Sequence, residues 1–132
     1  MRILVCGGRD FSDYEKLRFT LDEIISGKVN IEIVSGHAKG ADELGEKYAL
    51  EKGYPVRMFY PEWGKFGKAA GIIRNREMLE YIGEDDGIAV AFWDGVSSGT
   101  AFTIKEAKSK GIKLHVIRYN SELSESQLRL DV

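Results

Sequence analysis

Five short apolar runs, separated by longer amphipathic stretches, constrain this chain more than any other feature of it. Ile3-Leu4-Val5-Cys6, Ile31-Glu32-Ile33-Val34, Val56-Arg57-Met58-Phe59-Tyr60, Ile88-Ala89-Val90-Ala91-Phe92-Trp93 and Ile112-Lys113-Leu114-His115-Val116-Ile117 are rich in β-branched and aromatic side chains and read as strands. Between them, apolar residues recur at helical spacing. Leu17, Leu21, Ile24 and Ile25 form one stripe, with a Ser12/Glu15 capping box at its start and Gly27 as its stop. Ala41, Leu44 and Tyr48 form the second, ending at Gly53, and Asn75, Met78, Leu79 and Ile82 the third, ending near Gly83. Ala101, Ile104, Ala107 and Lys108 form the fourth, ending at Gly111.

Strands that alternate with helices of this length need right-handed crossovers, which place helices on both faces of a parallel sheet. The expected fold is therefore α/β: a Rossmann-like, doubly wound, mostly parallel five-stranded sheet. Residues 1–118 form that domain, and residues 119–132, polar with Leu123, Leu128 and Leu130, form a tail that is a candidate docking helix.

Composition narrows the function classes. Lys plus Arg is 19 and Asp plus Glu is 21, for a net charge of −2, which argues against a dedicated duplex-DNA or polybasic membrane binder. The single cysteine, Cys6, leaves no intramolecular disulfide and no cysteine-rich zinc pattern, and the two histidines show no metal-ligand spacing, so no metal or other cofactor is implied. No apolar run approaches the ~20 residues that span a bilayer. The stretch at Met1 to Val5 is too short for a signal peptide, so a cytoplasmic location is expected.

In an open parallel sheet, ligands sit beyond the carboxyl ends of the strands. Three Gly/Ser-rich turns fall there. Gly7-Gly8-Arg9-Asp10 follows the first strand, the turn from Ser35 through Gly36, His37, Lys39 and Gly40 to Asp42 follows the second, and Asp94 with Ser97-Ser98-Gly99-Thr100 follows the fourth. Glycines admit close backbone approach and helix N-termini offer unpaired N–H donors, so together the turns suggest a phosphate cradle. The same turns are also what short strand-to-helix connections need. Neither the dinucleotide fingerprint nor the Walker pattern is present. Arg74 and Asn75 flank the third apolar stripe near a helix start, from which a guanidinium fork would reach the sheet edge. The glycine-rich, aromatic and basic stretch 60–71 reads either as a lid, with Trp63 or Phe66 stacking on a base, or as a loop whose aromatics fill gaps in the core.

Four ordered motifs, "CGGRDFSD", "SGHAKGAD", "EWGKFGKAAGIIRNREM" and "WDGVSSGT", resemble the YspA/YpsA-related (YAcAr-like) branch of the SLOG superfamily over residues 3–117. That resemblance implies a Rossmann-like domain that binds nucleotides or nucleotide-derived ligands. Ser35, Gly36, Ala38, Gly40 and Asp42 are also similar to the S-G-x-A-x-G-x-D turn of the single-stranded DNA binder DprA. Arg74, Met78, Gly99 and Thr100 are similar to positions in the two motifs of the Lonely Guy phosphoribohydrolases. Val96 and Ser97, however, replace two glycines of those enzymes, and Thr103 stands where they carry a catalytic glutamate. Without that carboxylate, N-glycosidic cleavage lacks its main electrostatic help.

The leading expectation is thus a sensor or sequestering protein for a nucleotide-derived small molecule, with no catalytic residue assigned. A phosphoribohydrolase-like enzyme, using Asp42, Asp94 or Glu77 as its carboxylate, is the alternative, and a single-stranded DNA binder the second. A homo-oligomer is expected, whereas a nucleic-acid or membrane partner is not.

Overall fold

A computed structural model of the chain describes residues 1–119. The candidate docking tail, apart from Tyr119, lies outside the described residues. Five strands, β1 (Arg2–Gly7), β2 (Glu32–Ser35), β3 (Val56–Met58), β4 (Ile88–Trp93) and β5 (Lys113–Arg118), alternate with helices α1 (Tyr14–Ile25), α2 (Ala41–Lys52), α3 (Trp63–Phe66), α4 (Ala70–Ile82) and α5 (Ser98–Ser109). The strand order is β3-β2-β1-β4-β5 and every pairing is parallel, with Ile3 opposite Ile33 on one side and Ile88 on the other. The expected α/β architecture is the one observed.

The period-2 alternation of β1 builds two separate cores. Ile3 and Val5 face α1 and α2, where they meet Leu17, Leu21, Ile25, Tyr48 and Ala49. Leu4 and Cys6 face the opposite layer, made by Met78, Leu79 and Ile82 of α4 and Ile104 and Ala107 of α5. Helices therefore cover both faces, and the layers part at the topological switch between β1 and β4.

Several boundaries differ from the sequence reading. Asp13, not Ser12, caps α1: its carboxylate accepts from Lys16 N at 3.1 Å, while Ser12 contributes only its carbonyl, to Tyr14 N. The Ser12/Glu15 capping box does not form. Phe11 explains the shift: it is buried and stacks on Phe92 with ring centroids 4.8 Å apart, which fixes where the chain can enter the helix. Helix α4 begins at Ala70, well before Asn75, because the segment ahead of it is already helical as α3 and a 3-10 turn, Gly67–Ala69. Arg74 and Asn75 consequently sit inside the helix rather than at its start. On α5 the buried face is Thr100, Thr103, Ile104 and Ala107, while Lys108 of the expected stripe is exposed. Strand β3 stops at Met58, two residues short of the run read as a strand.

Candidate functional site

The crevice at the switch point opens into a cavity of about 540 Å³. Gly7, Gly8, Arg9 and Asp10 form one wall, Asp94 and Ser97 to Thr100 a second, and Arg74, Asn75 and Trp63 a third, with Asp42 in the floor. Thirteen of the residues singled out from sequence are thus brought together. The other five, Ser35, Gly36, His37, Lys39 and Gly40, do not line the cavity.

Those five shape the site from behind. Ser35 is fully buried and donates to Glu46 Oε2 at 2.7 Å. His37 turns away and pairs through Nδ1 with the same carboxylate at 2.9 Å, which raises its pKa. Gly40, at φ +82°, lets α2 start against the first turn, where a Cβ would overlap the Gly8 carbonyl. Lys39 is exposed.

The amides of the first two turns are largely spent inside the protein. Gly8 N donates to Phe92 O at 3.0 Å and Ala41 N to Gly8 O at 3.2 Å. His37 N donates to Ser35 Oγ at 3.1 Å and Ala38 N to Asp42 Oδ2 at 3.3 Å. Their glycines serve protein packing more than ligand approach. The third turn differs. Asp94 Oδ1 accepts from Val96 N and Ser97 N, both at 2.8 Å, and Trp93 Nε1 donates to Ser97 O at 3.0 Å. These bonds hold the turn and lower the Asp94 pKa, first through the Ser97 amide. They leave the first turn of α5 open, because the Ser97 side chain makes no cap bond. Among the described residues the N–H groups of Ser98 and Gly99 have no helical acceptor, and nothing lies within 4 Å of where a Gly99 Cβ would be.

Across the cavity, Arg74 is half-buried. Its Nη1 donates to Gly36 O at 2.6 Å and its Nε to Asn75 Oδ1 at 2.8 Å. The second bond orients the Asn75 amide, whose Nδ2 has no partner among the described residues; nor has Arg74 Nη2. Burial pushes the guanidinium pKa down; Asp42 opposes this and Arg9 adds to it. Asp42 lies nearby but makes no direct ion pair with Arg74. Burial raises its carboxyl to about 6, against the Ala38 and Gly36 amides and the guanidinium, which favour the charged form. A side chain at Gly36 would fill the space that these two groups share.

Gly71, Arg74, Asn75 and Met78 line the cavity at i, i+3, i+4 and i+7, one face of α4. That spacing was a legible signal for Gly71. Ile72 and Lys68, which also line the cavity, carried none. The segment 60–71 does not fill the core with aromatics: Trp63 is 56% exposed and Phe66 36% exposed. Trp93 does not line the cavity, and the Arg118 guanidinium lies 5.1 Å from the centre of its ring. Glu77 is exposed and outside the cavity, and Glu106 is paired with Arg76 at 2.9 Å. Among the described residues no cluster of three or more His, Cys, Asp or Glu could hold a metal ion, and no helix is long and apolar enough to cross a membrane.

Residues 1–66 match the model of the YspA, cpYpsA-related SLOG family. The chain is also 32% identical over 117 residues to the Gene 61 protein of Mycobacterium phage D29, an alignment that covers 84% of this chain and 91% of the phage protein. No solved structure matches it.

Proposed function

Because this chain belongs to the YspA, cpYpsA-related SLOG family, we propose that its switch-point cavity binds a nucleotide or nucleotide-derived small molecule, held by phosphate. One observation carries the reading. Arg74 is a half-buried guanidinium without a direct carboxylate partner, and it lines the same cavity as the open N-terminus of α5. Such a charge gains most from an anion that completes its hydrogen bonds. Arg74 Nη2, Asn75 Nδ2, the Thr100 hydroxyl and the α5 amides are the donors for that phosphate. Asp94, whose Oδ2 accepts none of the turn's bonds, is an acceptor for ribose hydroxyls.

The proposal is of binding without cleavage. Thr103, at the position of the hydrolase glutamate, is buried and bonds its hydroxyl to Gly99 O at 3.2 Å. The role covers a sensor and a sequestering protein alike, and a homo-oligomer, tested by light scattering, belongs to the same proposal.

Isothermal titration against a panel of nucleoside mono-, di- and triphosphates tests the reading. A member of the panel binds, and Arg74→Ala weakens it by about 10- to 150-fold, the worth of a charged hydrogen bond of roughly 1.5–3 kcal/mol. No heat and no thermal shift across the whole panel would overturn it. Chromatography of the incubated nucleotides separates the enzymatic alternative: free base, lost in Asp42→Asn, would replace binding with hydrolysis.

A further inference from the structure

The donors described above account for only part of the cavity's lining. The lining also carries apolar and aromatic surface, from Trp63, Gly71 and Ile72, with Lys68 among them. Trp63 sits on a four-residue helix that buries no side chain at all. A large indole on such a scaffold contributes little to the core, yet it lines the cavity. It lies against Gly71, where a Cβ would come within 3.8 Å of the six-membered ring, and beside it Ile72, 42% exposed, also faces the cavity. No hydrogen bond from the indole N–H to a described residue holds the ring in place. An exposed Trp and an exposed Ile that both line one polar cavity give it apolar surface that water solvates poorly.

We infer that Trp63 and Ile72 form a docking wall for a planar aromatic ring, so that the ligand is a base-bearing nucleotide rather than a sugar phosphate or a bare phosphoryl compound. This rests on the phosphate reading of the preceding subsection and sharpens it. The phosphate-binding donors and the wall lie in one cavity, with Asp94 beside the α5 turn to meet hydroxyl groups. Phosphate, hydroxylated sugar and flat ring are the parts of one nucleoside phosphate. Stacking of a base on an aromatic side chain tolerates any base, because every base has a π-face, and a purine covers more of the wall than a pyrimidine. The wall therefore selects for the presence of a base first and for its size second.

The experiment compares AMP, GMP, CMP and UMP with ribose 5-phosphate on the full chain, by titration calorimetry and tryptophan fluorescence. Wild-type protein binds the purine monophosphates more tightly than ribose 5-phosphate and changes its fluorescence only with the former. Trp63→Ala, whose side chain supports no core, weakens purine monophosphates roughly 5- to 150-fold while ribose 5-phosphate moves less than twofold. Trp63→Phe keeps most of the affinity and loses the fluorescence change, which assigns that signal to Trp63 rather than Trp93. The inference fails if Trp63→Ala binds AMP and GMP as wild type does, or loses ribose 5-phosphate equally. If ribose 5-phosphate and the four nucleotides all leave the wild type unaffected, the phosphate reading falls along with it. If ribose 5-phosphate binds as well as the nucleotides, only the wall is refuted.

Discussion

Asp42 carries the sharpest chemical tension in the molecule. Its carboxyl is 5% exposed and sits near a guanidinium that it does not directly touch. Burial outweighs the favourable amides and raises its pKa from 3.8 to about 6. A carboxyl raised on folding binds protons more tightly in the native state than in the unfolded one. Its contribution to stability is therefore complete below about pH 4 and is lost as pH rises through about 6. The size of that loss is on the order of 3 kcal/mol, taken from the shift at 1.36 kcal/mol per pKa unit. Asp42→Asn keeps an acceptor for Ala38 N but cannot titrate. Urea unfolding at pH 4 and at pH 7 should therefore show the stability of the variant relative to wild type improving on going to the higher pH. An unchanged difference between the two proteins would mean that Asp42 ionises as freely in the fold as in the unfolded chain. The same titration bears on ligand binding: below about pH 6 a neutral Asp42 leaves the Arg74 charge unshared, so anion affinity should rise there.

At the scale of single elements, the start of α1 shows where sequence patterns mislead. Ser12 and Asp13 are both good capping residues, and the Ser12/Glu15 spacing favours the first. The structure uses Asp13. Asp13→Ala should cost about 1 kcal/mol, and Ser12→Ala should stay within about 0.5 kcal/mol of wild type in thermal or urea unfolding. The reverse order would restore the capping box. The choice was not legible because it depends on Phe11 reaching Phe92 and Tyr119, contacts that no local pattern encodes. The strands were legible for the opposite reason: their apolar runs lie between two apolar layers, and that demand is written from Ile3 to Cys6 in β1 and from Ile88 to Phe92 in β4. Arg74 was legible as a polar residue beside an apolar stripe. Which backbone amides remained open was not. Gly8 N is satisfied by Phe92 O, more than half the chain away, and only the strand order decides that pairing.

For the whole molecule, the doubly wound layout determines what a ligand can do to stability. The cavity wall draws on the turns after β1 and β4, on α4 and on the Trp63 segment, and its floor includes Asp42 of α2. Helix α2 belongs to one core and α4 to the other. A ligand seated there bridges both layers at their point of divergence, and only the native arrangement offers that combination of groups. Binding to the native state alone stabilises by RT ln(1 + [L]/Kd), about 2.7 kcal/mol at a hundredfold excess over Kd. For a chain of this size that corresponds to a rise in Tm of roughly 5–12 °C. The ligand-induced rise, rather than the starting Tm, is the informative quantity. Removing Arg74 deletes its bond to Gly36 and also a half-buried charge that has no direct carboxylate partner, so the unliganded variant can move either way. At the same ligand concentration Arg74→Ala should lose 1.5–3 kcal/mol of binding, and with it most of the Tm rise. Trp63→Ala should lose a comparable part with a nucleotide and none with ribose 5-phosphate. A full rise retained in Arg74→Ala would place the ligand elsewhere on the molecule and remove the switch-point cavity from the functional account.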